Sequence, residues 1–162
     1  MSEIRLVLVM LITAALSSAG AGCGNSKMTV KTEVVEGIVM VSLPAGSFEM
    51  GYDHRKSGGA PDQVARYYPD EQPVHTVTLS AFQIGATEIT QVQYEKVMGE
   101  NPSFRAGDNL PVTDVGATGA LIFCNRLSEA AGFEPCYDPK TGKCDFSKNG
   151  FRLPTEAEWE YA

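Results

Sequence analysis

Arg152-Leu153-Pro154-Thr155-Glu156-Ala157-Glu158-Trp159-Glu160-Tyr161-Ala162 closes the chain and decides how the rest of it reads. Thr155 and Glu158 have the spacing of a capping box. In that device the hydroxyl accepts from the amide three residues on, and the glutamate reaches back to the threonine amide. Pro154 favours an extended approach to the cap. Glu156, Glu158 and Glu160 set negative charge at the positive end of the helix dipole. About two turns follow the cap, and a helix that short is marginal unless more chain packs on it. The stretch is expected to open a helix within an incomplete domain.

Working back from it, Asn149-Gly150 reads as a turn. Before that, Cys136 and Cys144 flank Asp138-Pro139-Lys140-Thr141-Gly142, a strong turn signal. Two strands meeting across this turn bring the cysteines toward bridging distance. A Cys136–Cys144 disulfide staple is the simpler expectation, and a catalytic pair the other reading. A helix is predicted from about Ala117 to Ala131, with Ala120, Cys124, Leu127 and Ala131 on one face and Gly132 ending it. Cys124 then reads as a buried thiol. An earlier helix starts at Thr90, whose spacing to Gln93 forms a second capping box. Val92, Tyr94, Val97 and Met98 supply its apolar stripe, and Gly99 ends it.

The first half is strand-like. Ile38 to Leu43 is rich in β-formers and stops at Pro44-Ala45-Gly46; Phe48 and Met50 then alternate before Gly51. Tyr52 to Gln72 is a long irregular stretch, and such loops are uncommon in compact domains. From Val74 to Phe82 alternation returns. It leaves either face free to point inward, and His75 reads more simply as a core histidine than as a base. There is no internal repeat. Short elements, many turns, 16 glycines and 9 prolines describe an α+β, loop-rich fold.

The net charge of −7 argues against general nucleic-acid binding, which needs clustered Lys and Arg on phosphates. No His/Cys set has zinc spacing, and His54 and His75 are the two histidines in the chain. Residues 1–22 read as an export signal. Arg5 gives a thin basic start, Leu6 to Leu16 is an apolar run too short to span a bilayer, and small residues follow. Cys23 comes next, as in a bacterial lipoprotein signal, and is the expected lipidation site. Gly20 stands where leucine is usual. Cleavage after Ala19-Gly20-Ala21 and an uncleaved anchor are the alternatives. Residues 23–36 suit a linker, and residues 37–162 hold the domain.

Several pieces together resemble the formylglycine-generating enzyme, or sulfatase-modifying factor, family. They are Met40-Val41 with Pro44-Ala45-Gly46, Phe48 and Met50-Gly51; Asp70-Glu71 with Pro73, His75, Val77 and Leu79; Phe82 with Ile84; Thr87-Glu88-Ile89-Thr90 with Gln93-Tyr94; Pro111-Val112; Phe123-Cys124-Asn125 with Leu127-Ser128; and Gly150 through Ala162. They stand in the family's order from residue 40 to the end. The resemblance implies a formylglycine-generating-enzyme-type fold, related to C-type-lectin-like domains, represented here by its N-terminal part. It also implies oxidation of a sulfatase cysteine to formylglycine by complete members, with oxygen, copper held by two cysteine thiolates, and calcium. A soft sulfur pair suits Cu(I).

The family's copper-binding cysteines and calcium loops follow the segment matching Arg152 to Ala162. No catalytic, cofactor-binding or metal-binding role therefore falls on any residue of this chain, and these residues alone are expected to be inactive. The Ser-Trp pair common after the Pro-Val segment is replaced by Gly116-Ala117, which removes a large buried surface. Trp159 and Tyr161 read as core aromatics, and Glu88 and Arg152 as an ion pair or as backbone caps. Two functions are expected to compete: an exported member of the enzyme family, or a non-catalytic envelope lipoprotein using the fold for binding or assembly. The expected partners are a membrane lipid anchor and a sulfatase or other envelope protein. Radiolabelled palmitate should enter the wild-type protein and be lost in Cys23→Ser; label retained in that variant would refute Cys23 as the acceptor.

Overall fold

Glu36 and Gly37 reverse the chain with φ of 51° and 86°. Positive φ at both central residues makes a two-residue hairpin turn whose twist matches that of its strands. It joins Thr32–Val35 to Ile38–Leu43 in the main sheet of this computed structural model, which describes residues 11–12, 32–52 and 71–162. The strands are β1 (Leu11–Ile12), β2 (Thr32–Val35), β3 (Ile38–Leu43), β4 (Gly46–Met50), β5 (His75–Leu79), β6 (Phe82–Gly85) and β7 (Phe151–Arg152). The helices are α1 (Gln91–Met98), α2 (Ala117–Ala130) and α3 (Glu156–Tyr161). β2 lies inside residues 23–36, so pairing begins ahead of the expected domain start at Gly37. Cys23 lies outside the described residues.

Two compact units share the chain. The first carries a five-stranded sheet in the order β2-β3-β6-β1-β7. β3 is antiparallel to β2 and to β6, with Val35 opposite Ile38 and Val41 opposite Ile84. β1 falls within residues 1–22 and is antiparallel to both β6 and β7. Period-two alternation places Ile38 and Met40 in the core and leaves Val39 exposed. The core also holds Ile89, Tyr94, Val112, Ala120, Phe123, Cys124, Leu127, Tyr137 and Phe151. Tyr94 and Phe123 stack at 5.1 Å between α1 and α2. Buried aromatic surface of this kind contributes about 2–3 kcal/mol per ring.

Both halves of the capping box that starts α1 are present, and Gly99 ends the helix at φ 83°. Its inward stripe differs from the expected one. Val92 is 48% exposed, while Gln91 is buried. The Gln91 amide donates to the carbonyls of Arg105 and Pro111 and accepts from Asn101 Nδ2 and the Gly107 N–H. A buried amide so fully bonded organises the loop after α1, which outweighs burying one valine. α2 starts at Gly116 with no side-chain cap, a consequence of the glycine that stands where the family commonly has serine.

The second unit pairs β4 with β5, from Gly46 opposite Leu79 to Met50 opposite His75. α3 packs on this hairpin. Phe48 and Tyr161 lie 5.4 Å apart, the Tyr161 hydroxyl donates to the Pro44 carbonyl, and the Gly51 N–H donates to Glu160 Oε1. The expected Thr155–Glu158 capping box is formed, with Glu158 buried. Two expectations are corrected. Trp159 is 61% exposed rather than in the core, because α3 turns Tyr161 and Glu158 inward. His75 is exposed at the end of β5, where Nδ1 lies 3.0 Å from the Pro73 carbonyl; Val77 and Leu79 are the half-buried positions.

Gly150 is required by close approach. A Cβ there would stand 2.2 Å from the Glu134 carbonyl oxygen and 2.7 Å from Ser128 Oγ. Backbone cannot yield as a flexible side chain does. Gly150→Ala should therefore lower stability by roughly 2 kcal/mol or more, read as a fall in the urea midpoint; an unchanged midpoint would refute the steric account.

Candidate functional site

The three described cysteines converge where α2 meets the segment from Glu134 to Arg152. Cys124 and Ser128 are four residues apart on one helical face, and both are fully buried. The Ser128 hydroxyl donates to the Cys124 carbonyl at 2.7 Å and accepts from the Phe151 N–H at 2.8 Å. Asn125, one residue around the helix, grips the hairpin by both ends of its amide. Nδ2 donates to the Tyr137 carbonyl and Oδ1 accepts from the Tyr137 N–H. The Tyr137 hydroxyl then accepts from the Leu153 N–H.

The predicted hairpin is present as one antiparallel bridge, Tyr137 with Cys144. It is flanked by Asp138 N–H to the Lys143 carbonyl and Asp145 N–H to the Cys136 carbonyl. Asp138 Oδ1 accepts from the Lys140 and Thr141 N–H groups, both at 2.8 Å, which holds its carboxyl below the usual range. Asp145 is lowered by the Ser147 hydroxyl and N–H. These aspartates cap turns, the role that the Asp-Pro-Lys-Thr-Gly signal predicted.

Burial governs the thiols. It pushes Cys124 far up, and the neighbouring Cys136 and Cys144 add to the effect. It also raises Cys136, whose Sγ donates to the Gly150 carbonyl at 3.2 Å, an arrangement that belongs to the protonated form. Cys144 is raised by burial, by Cys136 nearby and by a hydrogen bond with the Cys136 thiol. Cys144 alone of the three lines an open groove of about 1110 Å³, together with Leu121, Ile122, Asn125, Tyr137 and Lys148. Arg152 lies 4.8 Å over the Phe146 ring and donates to the Leu153 carbonyl, so it caps backbone as expected.

Among the described residues, no three His, Cys, Asp or Glu side chains are grouped to hold a metal. Cys136 is buried with its Sγ donating to the Gly150 carbonyl, and Cys144 is half-buried. The asymmetry of the site, with Asn125 and Ser128 tying two segments to α2, was not read from the sequence. Polar residues adjoining a predicted apolar face, at Asn125 and Ser128, are the signal that could have found it.

Small antiparallel sheets, short helices and long connecting loops define a domain of the formylglycine-generating-enzyme type. The chain belongs to the family of the sulfatase-modifying factor enzyme 1-like domain, whose profile matches residues 26–162. It is 38% identical to the chaperone protein LppX of Paenibacillus barcinonensis, over 65% of this chain and 42% of that protein. It is 27% identical to the formylglycine-generating enzyme of Mycobacterium tuberculosis, over 76% of this chain and 50% of that one. Among solved structures, Treponema denticola variable protein 1 matches with a TM-score of 0.65 and 31% identity, over 83% of this chain and 56% of that chain. PvdO from Pseudomonas aeruginosa matches with a TM-score of 0.50 and 25% identity, over 68% and 47%. The chain spans about half the length of the curated relatives it matches.

In the reduced protein, iodoacetamide should label Cys144 first, then Cys136, and Cys124 only on unfolding. All three thiols bind their protons more tightly folded than unfolded. Their contribution to stability is full below the ordinary value near 9.0 and is lost as pH rises above it. A melting temperature that climbs above pH 9, or Cys124 labelled first, would contradict this.

Proposed function

We propose that this chain works in the bacterial cell envelope as a binding framework built on the sulfatase-modifying-factor fold, and that these residues do not themselves oxidise cysteine. One observation carries the reading. Cys124 and Cys136 are buried in the core, and Cys136 Sγ donates to the Gly150 carbonyl, so both are placed as packing groups. The sequence supports export through residues 1–22 and attachment through a lipid on Cys23. The relative named as a chaperone favours binding of another polypeptide over turnover. A sulfatase or another envelope protein is the partner class. The family's copper and calcium are assigned to no residue here.

The competing reading is the family reaction, conversion of a sulfatase cysteine to formylglycine, favoured by the relatives that bear that enzyme's name. One pair of assays separates the two. Incubated with a sulfatase-derived peptide, Cu(I) and oxygen, the protein should yield no aldehyde trapped by a hydrazide probe; turnover above blank would overturn the proposal. With heat-aggregating citrate synthase, the protein should slow the growth of light scattering beyond an equal mass of albumin. Equal scattering would count against the binding role.

A further inference from the structure

We propose that the groove between α2 and the hairpin from Tyr137 to Cys144 is a docking site, and that its occupant is an acidic polypeptide segment with one large apolar side chain between carboxylates. The inference rests on the binding reading and adds to it a site and a partner chemistry.

Two ties frame the groove. The core face of α2 runs through Ala120, Phe123, Cys124 and Leu127, which leaves Ile122, Arg126 and Glu129 on the side that lines it. Asn125 holds Tyr137 by both of its backbone groups and so fixes the base of the hairpin against the helix. Nearer the tip, Gly142 turns with φ 68° and passes close to Leu121; a Cβ there would stand 3.3 Å from Leu121 Cδ1. The space of about 1110 Å³ is therefore set before anything enters it, and a pre-formed site avoids much of the ordering cost of binding. Its apolar lining includes Leu121, Pro135, Tyr137 and Ile122, the last 43% exposed.

Charge selects the partner. The chain carries a net charge of −7, yet four of its 13 basic residues, Arg126, Lys140, Lys143 and Lys148, line this one groove. Glu129, Asp138 and Asp145 stand with them. Two of those carboxylates are already engaged: Asp138 accepts from the Lys140 and Thr141 N–H groups, and Asp145 from the Ser147 N–H and hydroxyl. Lys140 and Lys143 are exposed, and their ammonium groups meet no carboxylate among the described residues. An acidic segment supplies that counter-charge, while its apolar side chain covers Ile122 and removes it from water. Cations gathered on an otherwise anionic chain also steer such a segment to this face. An anionic membrane surface meets the lysines but leaves the apolar lining empty, so the lining favours polypeptide over lipid.

The test uses the full chain and two short fluorescein-labelled peptides, one with a leucine flanked by glutamates and one with lysines in their place, read by fluorescence anisotropy. The acidic peptide should bind saturably, and about fivefold more weakly when salt rises from low to physiological concentration. The paired substitution Lys140→Glu with Lys143→Glu should weaken it roughly tenfold, and Ile122→Asp by about as much. All three positions are exposed, so both variants should melt with the wild type. Equal binding of the two peptides would overturn the proposal, as would wild-type affinity in both variants. So would sedimentation with phosphatidylglycerol vesicles that is lost in the paired lysine variant, because the face is then a lipid surface. The citrate synthase assay separates the site from the role. A lysine variant that suppresses scattering as well as the wild type refutes the groove and leaves the binding role standing. A wild type that takes the acidic peptide but leaves scattering unchanged supports the groove and counts against that role.

Discussion

The Ser128 hydroxyl is the joint on which the first unit depends. It is fully buried, gives its proton to the Cys124 carbonyl, and receives the Phe151 N–H. One side chain thus ties the middle of α2 to the strand that enters the terminal motif. Because Gly150 must pass within contact of the same hydroxyl, the approach tolerates no side chain. A buried N–H left without its acceptor costs about 1–3 kcal/mol, and here the loss would fall on the strand that carries Arg152. Tyr137, Asn125 and Cys136 are arranged around this joint, so the thiol site and the core share their supports.

Much of this was legible in the chain. Both capping boxes announce themselves by spacing, at Thr90–Gln93 and Thr155–Glu158, because a cap is local chemistry. The apolar face of α2 follows from its period. The hairpin at Asp138 follows from the turn residues and includes both cysteines of the pair. What failed was whatever depends on a distant partner. Val92 and Gln91 both fit a helix, and only the loop carbonyls of Arg105 and Pro111 decide that Gln91 goes inside. Trp159 looks like core by size, yet α3 packs through Tyr161 and Glu158. His75 sits on a strand whose period left its face open, and its place at the strand's end exposes it. The convergence of Cys124, Cys136 and Cys144 requires the whole path from α2 to β7 and has no signature in spacing.

Family and function separate at the thiols. The fold, the order of motifs and the relatives agree on one domain type. Chemistry belongs to particular side chains, and the cysteines described here are placed as structural thiols by burial and by donation to carbonyl oxygen. A shared fold can host different functions, because function belongs to particular side chains set on the framework.

The short strand at Leu11–Ile12 bears on the timing of assembly. It pairs with β6 and with β7, and β7 is nearly the last segment of these residues to be synthesised. Closing a contact across so long a chain is entropically slow. During translation the β7 side of that slot does not yet exist, so Leu11–Ile12 emerges from the ribosome long before its full set of strand partners.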